Sequence, residues 1–301
     1  MAVLKTLKSV HCSIAPQTPV TNFLVFESYT QAMNPQSSPN RGFMKSYLVI
    51  PILFCAMAVS STAMAQQPAP SALSNLQASL TAMVGKATIQ DVTLDGTAQV
   101  IAGSSDETVP AVFKALSDGS SQTELSLPSG VRNEVRISGA AGQTGTWTTG
   151  EGKRHALVQH NLMTDSAWFF PALVVSRMIS NTALTVVYVG QEDGLLHFQA
   201  YQQQPDAPAH ITPTIQHLTQ MDLYLNSANL QPAKLEFNIH ADTDARVDIP
   251  VTIQYSNYEK VNGVEVPFHV QRYVNNCLVM DIQMTTATFN SGLTDSALSA
   301  R

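Results

Sequence analysis

The sequence has 301 residues with 16 Lys or Arg, 22 Asp or Glu and a formal net charge of −6, and 44% of its residues are hydrophobic. An acidic chain is repelled by nucleic acid and by anionic membrane surfaces, so neither is expected as an electrostatic partner. With only three cysteines, a metal site built from a cysteine cluster is also excluded.

The first 65 residues are predicted not to belong to the folded protein. Residues 1–43 show no periodicity and precede a second methionine, so we interpret them as a non-native, disordered extension from a misassigned start. Residues 44–65 have the form of a secretory signal peptide, with Lys45, an uncharged apolar run and small residues up to Ala65. That run is too short to span a bilayer, and no transmembrane segment is expected after cleavage.

Cleavage after Ala65 leaves residues 66–301, which are enough for a single domain with a sizeable core. This part has 12 basic and 21 acidic residues, and hence a net charge of −9. Cys12 and Cys55 precede the cleavage site, so Cys277 is expected to be a lone thiol. The sequence thus predicts a protein that is periplasmic or secreted.

The first half of this domain is predicted to contain one helix and then strands. Apolar residues recur at helical spacing between Ser71, a candidate N-cap, and Gly85, a candidate end of the helix. Alternating apolar residues predict strands over residues 92–102, 109–115, 123–127, 131–137 and 145–149. In the fourth of these, Arg132, Glu134 and Arg136 alternate with apolar residues. Residues 155–161 are ambiguous.

Residues 168–179 interrupt the strand pattern because they are apolar on more than one face. Pro171 fits the first turn of a helix, which we place over residues 171–179. Two interpretations are open: a helix buried in the core, or a helix inside a curved sheet that lines an apolar cavity. Residues 205–213 are predicted to be a loop, and further strands are predicted over residues 182–189, 195–202, 221–225, 233–239 and 249–255.

The last strands, over residues 255–290, are separated by two turn signals. Asn262-Gly263 tolerates the positive φ angles of a tight hairpin and would pair Lys260 with Glu265 on a solvent face. The second signal is Asn275-Asn276, where asparagine tolerates such angles less well than glycine.

The second turn decides which residues meet across the last hairpin. A two-residue loop would place Phe268 opposite Gln283. We favour a three-residue loop that includes Cys277, because it places Val270 opposite Ile282 and keeps the apolar side chains on one face. The same register places Phe268 opposite Met284. About ten strands in sequential hairpins with two helices predict an α+β fold built on a curved, mainly antiparallel sheet.

The tail resembles that of a known family. It combines Tyr255 and Tyr258 with the Asn262-Gly263 turn, Pro267-Phe268 and, after a further strand, Asn290. With a signal peptide, a first helix and a strand containing Gly96, this order is similar to that of outer-membrane lipoprotein-sorting proteins. These are relatives of the periplasmic lipoprotein carriers LolA and LolB. The resemblance implies an incomplete antiparallel barrel wrapped around helices, with a cavity that takes acyl chains.

No catalytic arrangement is visible, so no catalytic residue, cofactor or metal is predicted and the protein is not expected to be an enzyme. Gly-x-Ser-x-Gly, His-Glu-x-x-His and phosphate-binding glycine loops are all missing from the sequence. The pairs His155/His160 and His210/His217 are interpreted as ordinary histidines rather than zinc ligands. The aspartates between 242 and 248 are interpreted as a solvated loop, since they lack the glycine and glutamate of a calcium hand.

The functional hypothesis is a binding protein with an apolar cavity. Flexible methionines suit sites that accept varied hydrophobic ligands. The expected partner is a lipid or a lipoprotein acyl chain, and the alternative is a cell-envelope module that docks another protein. The residues expected to line the cavity are Trp168, Phe169, Leu173, Val174, Met178, Phe268, Val270, Met280, Ile282 and Met284.

Overall fold

A computed structural model describes residues 71–204 and 207–299. The predictions on residues 1–43 and 44–65 lie outside the described residues. Within the described ranges, no helix has both the length and the apolar character needed to cross a bilayer.

Strands dominate the described part of the chain. In chain order the elements are α1 (Ala72–Val84), β1 (Asp91–Ala102), β2 (Ser105–Leu116), β3 (Ser121–Leu127), β4 (Gly130–Gly139), β5 (Gly142–Thr148), β6 (Arg154–Ala156), the 3₁₀ helix η1 (Gln159–Leu162), α2 (Pro171–Ser180), β7 (Leu184–Glu192), β8 (Leu195–Gln202), α3 (Thr212–Thr219), β9 (Met221–Asn226), β10 (Pro232–Ala241), β11 (Asp244–Val261), β12 (Val264–Val274), β13 (Cys277–Phe289) and α4 (Asp295–Ser299).

These strands form one antiparallel sheet in the order β6-β5-β4-β3-β2-β1-β13-β12-β11-β10-β9-β8-β7. Neighbours in the sheet are neighbours in the chain, except that β1 pairs with β13 and so joins the two ends of the domain. The outermost strands, β6 and β7, are not paired with each other, so the sheet is not closed. The predicted α+β class and incomplete antiparallel barrel are confirmed, with thirteen strands in the described part of the chain rather than about ten.

The two predicted helices form where the sequence places them. Ser71 Oγ accepts a hydrogen bond from Ser74 N–H at 3.2 Å, and Gly85 ends α1 with a φ of 61°. Pro171 occupies the first turn of α2. The predicted loop over 205–213 is wrong at its end, because α3 begins at Thr212. This helix is missed because it has no capping side chain and buries only its last two residues, which leaves little periodic signal.

The seam between β1 and β13 depends on a glycine. The register shifts between Asp95 and Gly96. A Cβ atom on Gly96 would lie 2.2 Å from the carbonyl oxygen of Gln283, so any side chain here must push the two strands apart. The small residues predicted in the middle of this strand therefore allow close approach of β13.

In the last two hairpins, β11–β12 and β12–β13, the length of the turn and the register of the strands were predicted separately. Lys260 lies opposite Glu265, as predicted, and their Nζ and Oε1 atoms are 3.1 Å apart. In the second hairpin the three-residue loop is wrong: Val274 pairs with Cys277, so only Asn275 and Asn276 lie in the turn, with φ of 50° and 62°.

The predicted pairing of Val270 with Ile282 is nevertheless confirmed. A register shift between Arg272 and Tyr273 absorbs the one-residue difference between the short turn and this pairing. The ladder ends at the pair His269 and Gln283, so the predicted pair of Phe268 and Met284 lies just beyond it. Cys277 is disulfide-bonded in the 301-residue chain. The lone thiol expected for residues 66–301, which contain no second cysteine, stays a prediction.

The segment over 168–179 is part of the hydrophobic core. Phe169 and Phe170 are completely buried, and six of the ten α2 residues are buried as well. Helix α1 packs against α2 and against β12. The hydroxyl of Tyr255 on β11 donates a 2.5 Å hydrogen bond to the carbonyl of Trp168, which ties the start of this segment to the sheet.

Candidate ligand-binding cavity

A cavity of about 130 Å³ lies among strands β1, β3, β4 and β5 on one side and β10 to β13 on the other, and we call it the arginine cavity. Helix η1 contacts both β5 and β10, which brings the two halves of the curved sheet together beside the cavity. The cavity is lined by Val100, Ile101, Ala102, Leu125, Arg132, Glu134, Arg136, Trp147, Leu157, Asn161, Ile239, His240, Ala241, Asp242, Ile249, Arg272, Val274, Val279 and Met280.

The walls of the arginine cavity are largely apolar. They come from the ends of β1, β10 and β13 and from the middle of β3, so aliphatic side chains of both halves of the sheet face one space. Such a surface is suited to a hydrocarbon chain, because burial of apolar area is favourable without directional contacts. Leu125 and Ile249 are buried, whereas Val100 and Val279 are only partly covered by the core.

The charged face of β4 points into the cavity. Arg132, Glu134 and Arg136 all line it, whereas Val131 on the opposite face is 38% exposed. This is the reverse of an ordinary half-buried strand, in which the apolar face is covered. A strand that turns its charged face inward requires partners for these charges within the protein or its ligand.

Part of this charge is compensated inside the cavity. Arg136 Nε donates to Glu134 Oε1 at 2.9 Å, and Arg136 Nη1 donates to the carbonyl of Asn161 at 3.2 Å. The guanidinium of Arg132 lies 5.9 Å from the centre of the Trp147 ring. Burial lowers the pKa of Arg132 from 12.5 to about 10, with nearby Arg272 acting in the same direction and Glu134 opposing it.

Arg272 is the least compensated of the three arginines. It lies on β12 between Val270 and Val274, on the parity that faces the core. Its guanidinium lies 5.0 Å from the centre of the Trp168 ring, and its Nε atom has no hydrogen-bond partner among the described residues. Burial lowers the pKa of Arg272, while Glu134 opposes this shift. The cavity therefore holds a buried cation that an acidic group of a ligand would stabilise.

The residues predicted to line the cavity lie mostly in the adjoining core. Met280 lines the arginine cavity, and Trp168 lies next to it beneath Arg272. Phe268 is partly buried against the core. The rest are buried, and their contact with a ligand stays a prediction: Phe169, Leu173, Val174, Met178, Val270, Ile282 and Met284.

Sequence reasoning missed the arginines, although two signals were present. Arg132, Glu134 and Arg136 occupy alternate positions of one strand, which places three charges on a single face. Arg272 interrupts an otherwise apolar parity between Val270 and Val274. A charged residue at a strand position whose neighbours two residues away are apolar indicates a polar site in the interior. This signal can be read from the sequence alone.

The histidines of the two sequence pairs each have an environment of their own in the structure. His155 stacks on Trp147, with ring centres 4.3 Å apart. His160 Nε2 lies 3.1 Å from the carbonyl oxygen of Ala241. His210 is exposed, and His217 lies 2.9 Å from Asp248.

Comparison with known proteins gives matches among solved structures alone. No family model matches the sequence, and no curated protein matches it. The chain is similar to a domain from Vibrio parahaemolyticus named for outer membrane lipoprotein sorting, with a TM-score of 0.49 and 12% identity over 76% of this chain and 96% of that chain.

Two further structures are similar to the same extent. For a LolA superfamily protein from Nitrosomonas europaea the TM-score is 0.47 and the identity 11%, covering 76% of this chain and 98% of that chain. For a DUF1329 family protein from Desulfovibrio piger the TM-score is 0.49 and the identity 12%. The match covers 76% of this chain and 97% of that chain. The chain is therefore similar in fold to structures named for lipoprotein sorting and for the LolA superfamily.

Proposed function

We propose that this chain is an exported, non-enzymatic protein that binds a hydrophobic ligand, a lipid or a lipoprotein acyl chain, whose acidic group is held in the arginine cavity. The observation that supports this proposal is a cavity with aliphatic walls and a cation, Arg272, whose buried Nε atom has no hydrogen-bond partner among the described residues. In this proposal, residues 66–301 form the exported domain, located in the periplasm or secreted.

The two kinds of cavity surface have separate roles. The aliphatic walls contribute affinity, since each buried methylene is worth about 0.8 kcal/mol. Arg272 and Arg132 contribute selectivity, because hydrogen bonds from a guanidinium to a carboxylate or phosphate are shorter and stronger than neutral ones. The buried methionines and aromatic residues of the neighbouring core, predicted as ligand contacts, would then meet the far end of a long chain.

Binding of a fluorescent fatty acid, compared with its methyl ester, tests this function. The full chain is expected to bind the acid at least tenfold more tightly than the ester, since a charged hydrogen bond is worth about 1.5–3 kcal/mol. Arg272→Met should strongly reduce this preference, with Arg132 accounting for what remains. Arg246→Met is the matched control, because the Arg246 side chain is 89% exposed and lies outside the cavity.

Mass spectrometry of an organic extract of the purified protein provides a test that does not depend on the chosen probe. We expect an acidic lipid in stoichiometric amount. Protein that is reproducibly empty and that also fails to bind the fluorescent acid would rule out the proposed function.

The alternative function, a cell-envelope module that docks another protein, is favoured by one observation. Strand β7 is an edge of the sheet, and three consecutive residues at its centre, Val187, Tyr188 and Val189, are each at least 40% exposed. Edge strands with exposed apolar residues are sites at which a second chain can add a strand. Val189→Lys should then release a co-purifying protein without changing fatty-acid binding.

A further inference from the structure

Three side chains from separate elements meet next to the arginine cavity. His240 on β10 lies directly opposite Asp248 on β11 in the sheet, and His217 lies in the last turn of α3. The nitrogen and oxygen atoms that these residues offer all lie within 4.8 Å of one another. The strand register fixes two of the side chains, and the position of α3 beside the sheet fixes the third.

The distances within this group match a coordination shell. Asp248 Oδ1 lies 2.9 Å from His217 Nε2 and 3.3 Å from His240 Nδ1. Around a tetrahedral zinc ion with ligand atoms at about 2.0–2.1 Å, neighbouring ligand atoms lie roughly 3.3 Å apart. An ion therefore requires little movement of the three side chains.

His240 is the residue that points to a ligand here. Its side chain is completely buried, and neither ring nitrogen meets the geometry of a hydrogen bond with the described residues, although Nδ1 lies 3.3 Å from Asp248 Oδ1. Buried polar atoms in native proteins almost always have partners, so a buried imidazole without a well-formed hydrogen bond indicates room for a ligand beside it.

The backbone around His240 is held firmly. The side-chain amide of Asn161 donates to the His240 carbonyl at 2.8 Å, and its oxygen accepts the His240 N–H at 2.8 Å. This double contact fixes the end of β10 and hence the direction of the imidazole. The side chains of His217 and Asp248 are 46% and 40% exposed, so an ion can enter from solvent.

We propose that His217, His240 and Asp248 bind a divalent transition-metal ion, with zinc as the best fit and water at the fourth position. Two imidazoles and one carboxylate suit zinc, whereas calcium and magnesium require mainly oxygen ligands. The bound ion joins α3 to the β10–β11 hairpin. The proposal of an ion site does not rest on the proposed lipid binding, although His240 also lines the arginine cavity.

Thermal unfolding of the full chain, purified without a polyhistidine tag and freed of metal, tests the proposal. Zinc is expected to raise the Tm of this protein, whereas magnesium is not. Cobalt should give the strong visible absorption of a tetrahedral site. A zinc titration gives the affinity of each variant directly.

His217→Ala and Asp248→Asn are the informative variants because both residues are exposed and neither is part of the core. Each should weaken zinc binding by more than about 100-fold, since loss of even an outer partner of a metal ligand typically costs about 10–100-fold. His210→Ala is the matched control, an exposed histidine just before α3. An unchanged Tm with zinc in the wild type, or equal zinc affinity in His217→Ala and His210→Ala, would overturn the proposal.

Discussion

The guanidinium carbon of Arg272 lies 5.0 Å from the centre of the Trp168 ring. This contact joins the apolar segment before α2, which the sequence marks as unusual, to the arginine cavity. A guanidinium over an indole is stabilised by the ring electrons by about 0.5–2 kcal/mol, which is less than the cost of removing a cation from water. The ligand-free protein therefore carries an electrostatic cost at Arg272.

This cost leads to a prediction for the stability of the ligand-free protein. Arg272→Met should increase the free energy of unfolding by about 1–2 kcal/mol, because an apolar side chain of similar length replaces a charge that is removed from water and whose Nε atom has no hydrogen-bond partner among the described residues. Denaturant unfolding of delipidated protein measures the effect. A decrease in stability would mean that an anion already compensates Arg272 in the purified protein. Arg246→Met should leave the stability within about 0.5 kcal/mol, as is usual for surface substitutions.

A second prediction concerns the volume of the arginine cavity. Val100→Phe adds a ring to a partly buried position of the cavity wall. It should reduce fatty-acid affinity by at least tenfold with every arginine retained. Titration with the fluorescent acid measures this, and Val247→Phe is the control because Val247 is 48% exposed on β11. Unchanged affinity in Val100→Phe would place the ligand elsewhere.

The seam between β1 and β13 yields a third prediction. Gly96→Ala should destabilise the protein by about 2–4 kcal/mol, in the range of severe core substitutions, since its Cβ meets the Gln283 carbonyl at 2.2 Å. Gly190→Ala is the control, because Gly190 is also in a strand but has no atom within 4 Å of an added Cβ. Chemical denaturation of both variants compares them. If Gly96→Ala and Gly190→Ala had equal free energies of unfolding, β1 and β13 would be able to move apart without loss of stability.

The buried tyrosines predict how stability changes in alkali. Burial raises the pKa values of Tyr255 and Tyr258 well above 10, so the unfolded chain ionises before the folded one does. Their contribution is therefore complete below about pH 10, the pKa of an unperturbed tyrosine, and is lost as the pH rises beyond it. The free energy of unfolding should fall progressively above that pH.

The substitution Tyr255→Phe distinguishes the contribution of Tyr255 to stability from that of Tyr258. At neutral pH it should cost about 1–3 kcal/mol, because the Trp168 carbonyl loses its donor. Above pH 10 it should make the loss of stability less steep, since one titrating group is gone. Denaturant unfolding at pH 7, 9 and 10.5 measures both effects, and an unchanged pH dependence would contradict the assignment to Tyr255.

Much of the fold could be predicted from local patterns. Helix α1 follows from a capping serine and a terminal glycine, and α2 follows from Pro171 at its first turn, because these residues act on their own backbone. The alternation of apolar side chains gives the strands and the pairing of Val270 with Ile282 for the same reason. The resemblance of the tail gives the incomplete barrel.

The turn at Asn275-Asn276 shows where local reasoning fails. The apolar faces require the pairing of Val270 with Ile282, but a three-residue loop is not the only way to reach it. A register shift beside Arg272 achieves the same result with a two-residue turn. Which of the two forms occurs depends on packing across the sheet, and the residues of the turn do not decide it.

By itself the sequence determined the strands, the two main helices and an apolar interior, because each depends on neighbours along the chain. Only the tertiary structure decided which charges share that interior. Arg132 and Arg272 are 140 positions apart and meet because β1 pairs with β13 and the sheet curves; His217 meets His240 and Asp248 through the packing of α3. Such contacts depend on long-range register and curvature, which no local pattern encodes.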